Sequence, residues 1–507
     1  MLTGSSGPCI NGSTFDFIVV GSGSAGSVVT ARLAQAGHSV LLLEAGGPSS
    51  WLQGVPSAAL LFQGSKFDWK YSSVSTENIV DEKLHAGFND GWFPEPRGKV
   101  LGGTSMANWN LYIRGHSSDY DEWAELGNKG WSYKEVLPFF KKSQSLKGTF
   151  GVETKDEHHG QEGEFTVHET KHLYPFEEAF LKGVEELGYG FQDMNAPNVQ
   201  EGFFPKGQVG LTDGYRRGTF KTFVEPLIQS GEYNNLNVLT YSQVTKVLFD
   251  NGKKAIGVQF KRFGNTYEMF VNNEVIVSAG AYSSPQILLL SGVGPKSDLQ
   301  KFDIPVVADL PSVGKNLQNH DAFWIGFYSS ADKGISATGI ANMKSWYEYL
   351  TDRSGSLANV GVGANGYLKT SFAKKRNETR PDIQLYGLPW GMTIGNGLFC
   401  QESLNLNKTV MKQWVDFIAN QPTESSEFQV VSTLMRPKSR GFVTLKSADY
   451  RDNPVIDGNF LSHPEDIERL KDMCRFVPTL AMTKAFMDAK IQLMPPERLI
   501  CGEFEVI

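Results

Sequence analysis

The first residues along the chain whose types and spacing could bind a ligand are a cluster of small residues and a single acid that follows it. The cluster is the run Gly21, Ser22, Gly23, Ser24, Ala25 and Gly26, and the acid is Glu44, which precedes Ala45. Main-chain N–H groups exposed at the start of a helix bind phosphate oxygens. A carboxylate at the end of the following strand accepts hydrogen bonds from ribose hydroxyls. These residue types at this spacing therefore predict a dinucleotide site.

Such a site requires a strand, a tight turn, a helix and a second strand in that order. The run Phe-Asp-Phe-Ile-Val-Val at 15–20 predicts a strand that is buried from Ile18 to Val20, and small or apolar residues recur at helical spacing from 25 to 36 before Gly37. Gly21 permits the turn, Gly23 lets the backbone approach a pyrophosphate, and Gly26 lets the helix pack against the strand. Residues 39–43 predict the second strand, which delivers Glu44. The complete order is much more specific than the glycine motif alone.

Composition and charge restrict the class of protein. The chain has 507 residues, of which 40% are hydrophobic and 20% charged, so we expect two or three domains with large cores. A net charge of −7 argues against nucleic acid and anionic membranes as main partners. No run approaches the roughly 18 apolar residues of a membrane span. The four cysteines show no metal-ligand spacing, so we expect no metal site.

The remaining sequence predicts an α/β chain with a second junction of strand, glycine and helix. Short strand-like runs between residues 236 and 277 lead to Gly280, and Ser284 is predicted as the N-cap of a helix that has Pro285 in its first turn and ends at Gly292. Residues 150–215 are polar with one predicted helix at 175–187. Beyond about residue 320, mixed strands and helices without nucleotide motifs predict a separate substrate domain.

Two longer motifs connect the chain to a known family. The first is Arg-Gly-Lys-Val-Leu-Gly-Gly-Thr-Ser-Met-Ala-Asn-Trp-Asn-Leu-Tyr-Ile-Arg-Gly at 97–115, and the second is Gly-Ala-Tyr-Ser-Ser-Pro-Gln-Ile-Leu-Leu-Leu-Ser-Gly-Val-Gly at 280–294. Shorter matching stretches lie at 313–320 and 436–441. Over nearly all of its length the chain resembles the glucose–methanol–choline (GMC) oxidoreductases, flavoenzymes that oxidise alcohols.

The resemblance implies a division into two domains. Residues 15–319 would form an FAD-binding domain with a Rossmann-like doubly wound sheet and a polar insertion at about 150–215. Residues 320–507 would form an α+β substrate domain, a mixed sheet with helices, without its final segment. The implied cofactor is FAD.

The FAD-binding residues follow from both motif chemistry and the resemblance. Gly102 and Gly103 can bring backbone N–H groups against the cofactor, and Thr104, Ser105 and Asn108 supply short polar groups. The resemblance implies that Asn108 and Leu111 lie near the flavin ring, and that the backbone of Val244 contacts adenine. The predicted cofactor-binding residues are Gly21, Ser22, Gly23, Ser24, Ala25, Gly26, Glu44, Ala45, Arg97, Gly102, Gly103, Thr104, Ser105, Asn108, Leu111, Val244, Ala279 and Gly280.

The catalytic base is not assigned by the sequence. Alcohol oxidation needs a base of near-neutral pKa, which histidine provides. In the family this histidine lies in a C-terminal His-Pro-x-Gly-Thr-type segment, whereas this chain stops at Ile507 without one, so we expect a C-terminally incomplete chain. Among the other histidines, His320 is interpreted as structural, His463 as a loop residue, and His158 and His159 as solvated surface residues. His116 lies beside the flavin segment and could approach the cofactor, but it is not expected to be the base. Ala107 occupies the position where some members tether the flavin through histidine, so we expect non-covalent FAD.

Three functions remain open at this stage. The chain can be an FAD-dependent alcohol dehydrogenase or oxidase, a non-catalytic protein that binds FAD or another ligand, or a nicotinamide-dependent dehydrogenase. Its opening motif resembles the insect-type glucose dehydrogenase-like and ecdysone oxidase-like branches, so the alcohol would be a bulky apolar steroid or a sugar. Phe67, Trp69 and Trp109 could line an apolar pocket. The electron acceptor would be oxygen or a quinone, and the protein would be secreted if a leader precedes this sequence and cytoplasmic otherwise.

Overall fold

The computed structural model describes residues 11–74, 92–330, 343–391, 405–422 and 425–494. The α-helices in these ranges are Ser24–Gln35, Ser117–Glu125, Tyr133–Ser143, Pro175–Glu186, Glu225–Ser230, Gly280–Leu290, Lys296–Gln300, Met343–Asp352, Ser371–Lys375, Lys408–Ala419, Pro464–Phe476 and Lys484–Asp488. Shorter 3₁₀ turns are Trp51–Gly54, Pro56–Phe62, Gly103–Met106, Ser356–Ala358 and Val477–Met482, and Phe220–Val224 is a π-helical turn.

The first large sheet combines parallel and antiparallel strands. Its described strands follow the order Leu236–Leu239, Val40–Leu43, Thr14–Val20, Asn265–Val277, Ala255–Arg262 and Gln243–Phe249. The first four are parallel neighbours, and the last two continue from Asn265–Val277 as an antiparallel meander. This arrangement confirms the predicted α/β class.

Both faces of the parallel part are covered, which explains the unbroken apolar runs in its strands. Val19 and Leu42 pack on one side with Ala31 of the Ser24–Gln35 helix. Ile18 and Leu41 pack on the other side, where the meander supplies an apolar layer. All of these strand residues are fully buried, so this sheet is a rigid base for the loops at its carboxyl edge.

The second large sheet is antiparallel. Its described strands follow the order Ile491–Leu493, Ala322–Ser329, Ser426–Leu434, Ile383–Leu388, Ala364–Leu368 and Gly202–Phe204. Phe176 of the Pro175–Glu186 helix stacks on Phe428 of this sheet, with ring centroids 4.3 Å apart. The remaining described strands form small sheets: Lys315–Leu317 with Gly441–Thr444 and Val455–Asp457, Gln144–Lys147 with Phe165–Glu169 and Gln208–Val209, Leu211–Thr212 with Tyr215–Arg216, Val293–Gly294 with Ala308–Asp309, and Tyr71–Ser72 with Pro94–Glu95.

The chain passes between the two sheets more than once. Gly202–Phe204 pairs with Ala364–Leu368, although residue 202 precedes the expected boundary at 319/320. Lys315–Leu317 and Gly441–Thr444, which lie on opposite sides of the same boundary, pair with each other in one of the small sheets. The region 150–215 also buries Phe176, Phe180 and Phe203 completely, so it contributes to the core of the second sheet.

Two local predictions were wrong. The helix after the second junction begins at Gly280, with Ala279 as its N-cap, and not after Ser284. Its first turn therefore precedes the Ser-Pro pair, and Pro285 lies inside the helix. The preceding strand begins at Asn265, whereas the sequence pattern indicated only its final residues from Glu274.

Among the residues that the structure describes, no helix combines the length and the apolar composition that a membrane span requires.

Candidate functional site

A cavity of about 470 Å³ opens where the parallel strands of the first sheet end. Val20, Leu43 and Val277, the last residues of three neighbouring parallel strands, all line it. Ligands of open α/β sheets bind at this carboxyl edge, in the crevice beyond the strand ends. The cavity thus occupies the position that the opening motif predicts for a dinucleotide.

The glycine turn forms one wall of this cavity. Gly21 has φ +95°, and a Cβ there would lie 2.6 Å from the carbonyl oxygen of Ser278. A Cβ on Gly26 would lie 1.9 Å from the carbonyl oxygen of Gly21, so only glycine lets the helix approach the turn this closely. A Cβ on Gly23 would meet no atom within 4 Å, which leaves that backbone accessible from the cavity.

Glu44 lies at the cavity wall and is 5% exposed. Its Oε2 accepts hydrogen bonds from the main-chain N of Ser22 at 3.0 Å and from the Ser22 hydroxyl at 2.7 Å. Its Oε1 accepts from the main-chain N of Gly46 at 2.7 Å. Burial raises the pKa of Glu44, and these hydrogen bonds oppose the shift. The carboxylate is thereby fixed in orientation, with acceptor capacity remaining on Oε1.

A second glycine-rich loop packs directly on the first. Gly103 has φ +56°, and a Cβ there would lie 2.7 Å from Cα of Gly23. The main-chain N of Gly102 donates to the hydroxyl of Ser22 at 3.2 Å. Ser105 donates from its hydroxyl to the carbonyl oxygen of Gly102 at 2.6 Å, which closes the loop on itself. The two motifs thus form one continuous surface.

A smaller cavity of about 180 Å³ adjoins the large one through shared walls. Arg97 and Thr104 line both cavities, and Asn108 and Trp109 line the smaller one. The residues that line the two cavities extend from Glu44 past the glycine loops to Asn108.

Most of the predicted cofactor-binding residues come together around this space. Those that line one of the cavities are Gly21, Gly23, Ser24, Ala25, Glu44, Ala45, Arg97, Gly103, Thr104, Asn108, Val244, Ala279 and Gly280. Ser22, Gly26, Gly102 and Ser105 stand behind the walls, where they hold the loops together. Leu111 lies further away, bridged to Val209 within an apolar cluster.

Several aromatic residues of the cavity wall were not predicted as site residues. Tyr282 donates its hydroxyl to Oε2 of Glu95 at 2.6 Å and accepts from Arg97 at 3.1 Å. Tyr71 shares a 2.6 Å hydrogen bond with Ser283, and burial raises the pKa of Tyr71 to about 12. Tyr282 lies inside the second long motif, which was a usable signal. Tyr450 also lines the cavity, but nothing in its sequence context marks it.

No histidine of the described ranges lines either cavity. His116 and His463 are N-caps, each accepting a main-chain hydrogen bond at Nδ1. The prediction that His159 is solvated was wrong, because its side chain is buried and paired with Asp193 at 2.7 Å. We therefore assign the catalytic base to none of them.

The residues present fit the two halves of FAD. A helix N-terminus and the open backbone at Gly23 suit a pyrophosphate, and Glu44 suits a ribose. Val244, Ile287 and Leu290 give the cavity an apolar side that suits adenine. Thr104 and Asn108 continue the polar surface into the smaller cavity, where the ring would lie.

Comparison with known proteins gives consistent matches over most of the chain. Two family models, both described as GMC oxidoreductase, match residues 15–322 and 437–502. The glucose dehydrogenase [FAD, quinone] of Drosophila pseudoobscura pseudoobscura is 38% identical over 92% of this chain and 70% of its own length. The ecdysone oxidase of Bombyx mori is 33% identical over 96% of this chain and 70% of its own length.

Solved structures share the fold. A formate oxidase from Aspergillus oryzae superposes with a TM-score of 0.80 at 24% identity, covering 96% of this chain and 84% of that one. A pyridoxine 4-oxidase from Mesorbium loti gives a TM-score of 0.76 at 22% identity, covering 97% and 84%.

Proposed function

Because the chain belongs to the GMC oxidoreductase family, we propose that its two adjoining cavities hold FAD and present the flavin ring to an alcohol. The chain is an FAD-dependent oxidoreductase that acts on CH–OH donors. The observation that carries the proposed placement is the cavity at the carboxyl edge of the first sheet, with Glu44 and the opening glycine turn in its wall.

The ADP half of FAD would occupy the larger cavity. Main-chain N–H groups at the start of the Ser24–Gln35 helix would bind the pyrophosphate, with the helix dipole favouring its negative charge. Glu44 would accept from the ribose hydroxyls. Val244, which is 7% exposed, would contact adenine through its backbone.

The flavin ring would lie beside Thr104 and Asn108 in the smaller cavity. Bound FAD supplies the acceptor for the hydride that leaves the alcohol carbon. The chain's own contribution at this point is to orient the ring through Thr104 and Asn108 and to exclude water with Trp109. The non-catalytic alternative is not favoured, since the similar proteins reported above are named as dehydrogenases and oxidases.

For the substrate we propose a bulky apolar alcohol of the steroid type. Trp109, next to Asn108, packs edge-on against Trp390 with centroids 4.9 Å apart, and both border an apolar cluster with Leu111 and Val209. The similarity to ecdysone oxidase supports this choice. A sugar alcohol group is the second candidate, because identity to the glucose dehydrogenases is higher.

Reduction of the bound flavin by candidate alcohols under anaerobic conditions tests this function. We expect a steroid alcohol to bleach the flavin absorbance faster than glucose does. The variant Trp109→Ala should raise the steroid concentration needed for half-maximal bleaching. Trp123→Ala removes an exposed tryptophan outside both cavities and is the matched control. Failure of every alcohol to bleach the FAD-loaded protein would refute the proposal.

We further propose that FAD is held without a covalent bond and that a quinone or oxygen reoxidises it. Ala107 precedes Asn108, and an alanine methyl cannot form a tether. Heat denaturation should release all of the flavin into the supernatant. Flavin that remains on the precipitated chain would contradict this. Oxygen consumption and quinone reduction, measured separately during turnover, distinguish the two acceptors.

A further inference from the structure

A single arginine is buried behind the segment that contains Asn108. Arg216 is 0% exposed. Its Nη1 donates to the carbonyl oxygen of Ser105 at 3.2 Å and to Oδ1 of Asn108 at 2.9 Å. Its Nε and Nη2 are buried without a hydrogen-bond partner among the described residues. Burial lowers the pKa of Arg216 to about 9, with no contribution from a carboxylate of the described chain.

The position of this arginine is fixed by close packing of two segments. A Cβ on Gly218 would lie 2.4 Å from Sδ of Met106. The main-chain N of Thr219 donates to the hydroxyl of Ser105 at 3.1 Å. Residues 216–219 therefore lie directly against residues 105–108. An uncompensated positive charge is thus held at a defined place behind the wall of the smaller cavity.

The same contact determines which way the amide of Asn108 faces. A guanidinium only donates hydrogen bonds, so the Asn108 atom that faces Arg216 is the acceptor Oδ1. This oxygen also accepts from the main-chain N of Asn110 at 3.0 Å. Asn108 lines the smaller cavity, and its Nδ2 is therefore the amide atom that is left to donate into that space.

We propose that Arg216 is a positioning residue for the flavin ring, which fixes Asn108 as a donor toward the ring and places a buried positive charge behind it. This inference rests on the proposed location of the ring beside Asn108. Hydride transfer to the ring adds one negative charge there. A nearby cation stabilises that charge strongly because screening is weak in the protein interior, and charge near the ring tunes flavin electronics.

The midpoint potential of the bound FAD tests this role, because it responds to charge and would not change if Arg216 only supported the fold. Arg216→Met removes the charge, whereas Arg216→Lys retains it without the planar guanidinium whose Nη1 donates to both acceptors. In the methionine variant, we expect the two-electron equilibrium between oxidised and reduced FAD to shift at least tenfold toward the oxidised form. This shift corresponds to a midpoint potential about 30 mV lower. The lysine variant should stay within about threefold of the wild type. Equal potentials in wild type and methionine variant would overturn the inference.

A second pair of variants decides the case if the methionine variant does not fold. Asn108→Asp places a carboxylate against Arg216 and neutralises it in place, whereas Asn108→Ala leaves the guanidinium uncompensated. At a fixed potential, the ratio of oxidised to reduced FAD should be at least tenfold higher in the aspartate variant than in the alanine variant. Equal ratios would overturn the inference. A wild-type chain that binds no FAD would instead refute the proposed function, so the two failures are distinguishable.

Discussion

At the scale of single residues, Glu44 is the side chain on which the proposed nucleotide site most depends. Both of its oxygens accept hydrogen bonds from the turn and the following loop. Glu44→Gln replaces one acceptor oxygen with a donor that faces another donor. An unsatisfied buried polar group costs about 1–3 kcal/mol, so we expect FAD to bind roughly 10–100-fold more weakly.

Titration of FAD fluorescence on the FAD-free protein measures this loss. Glu274→Gln, which makes the same change at an exposed position of the same sheet, is the control and should bind FAD like the wild type. Equal affinity of the Glu44 variant and the wild type would show that the ribose lies elsewhere.

Gly103 supports a second prediction at this scale, because the loop that contains Gly23 occupies the place where a Cβ on Gly103 would lie. Gly103→Ala would strain a backbone of φ +56° and push on Cα of Gly23. Gly64 has a similar φ of +69°, but a Cβ there would meet nothing within 4 Å. A left-handed alanine costs about 1–2 kcal/mol at either site. Only the Gly103 variant should also lose FAD affinity, by tenfold or more in the same titration, and equal affinity in both variants would contradict the proposed contact.

Most of the cofactor-binding residues predicted from the sequence line one of the two cavities, because glycines and acids at this spacing form a recognisable local pattern. Tyr282 of the wall lies inside the second long motif, but Tyr71 and Tyr450 belong to no such pattern. Tyr450 follows Gly441–Thr444, which pairs with the distant strand Lys315–Leu317, and local sequence does not encode that pairing. Leu111 lies apart from both cavities, within a neighbouring apolar cluster.

At the scale of elements, the Pro464–Phe476 helix is attached to the second sheet by a buried ion network. Arg469 pairs with Asp382, Glu378 and Glu465, and its side chain is 6% exposed. Arg469→Met would leave Asp382, which is 1% exposed, with an uncompensated charge. Breaking such a pair costs about 3–5 kcal/mol.

Urea denaturation measures this free energy of unfolding. Lys471→Met on the same helix breaks only a surface pair with Glu468 and should change stability by less than about 1 kcal/mol. A loss no larger than that of the Lys471 control would show that the network contributes little.

The same ion network predicts that the free energy of unfolding depends on pH in the acidic range. Burial alone would raise the pKa of Glu465, but hydrogen bonds from Lys438 and Arg469 outweigh it and hold the pKa at about 2. Because the folded-state pKa lies below the unfolded value, Glu465 contributes stability above about pH 4.5, which is lost as the pH falls toward 2. Glu465→Gln should reduce the slope of unfolding free energy against pH in this window. An unchanged slope would contradict the assigned pKa.

Element boundaries show where sequence patterns stop being informative. The Ser284-Pro285 pair is typical of a helix start, yet the helix begins at Gly280. Gly280, Ala281 and Tyr282 of the first turn line the large cavity, so this turn is placed by the junction and not by a side-chain cap. The early part of Asn265–Val277 has few inward apolar residues, and pairing with both neighbours forms the strand.

At the scale of the whole molecule, the two sheets are linked by segments that cross between them. Gly202–Phe204 joins the second sheet from within the first half of the chain, and Gln286 of the Gly280–Leu290 helix donates to the carbonyl oxygen of Asp452 at 2.8 Å. Sequence patterns gave the α/β class through the opening unit. Sequence patterns did not predict that these segments cross between the sheets, because pairing between strands far apart in the sequence depends on tertiary contacts that a local pattern does not show.

The two adjoining cavities are proposed to hold FAD, with its ADP half at Glu44. A competition titration tests this placement. FAD is first bound to protein that was prepared without flavin, and the fraction of FAD displaced is then measured as ADP, FMN or NAD is added. We expect one FAD per chain, displacement by ADP at moderate concentration, and little displacement by FMN, which lacks the adenosine half. Absence of FAD binding, or displacement by FMN as readily as by ADP, would contradict the account.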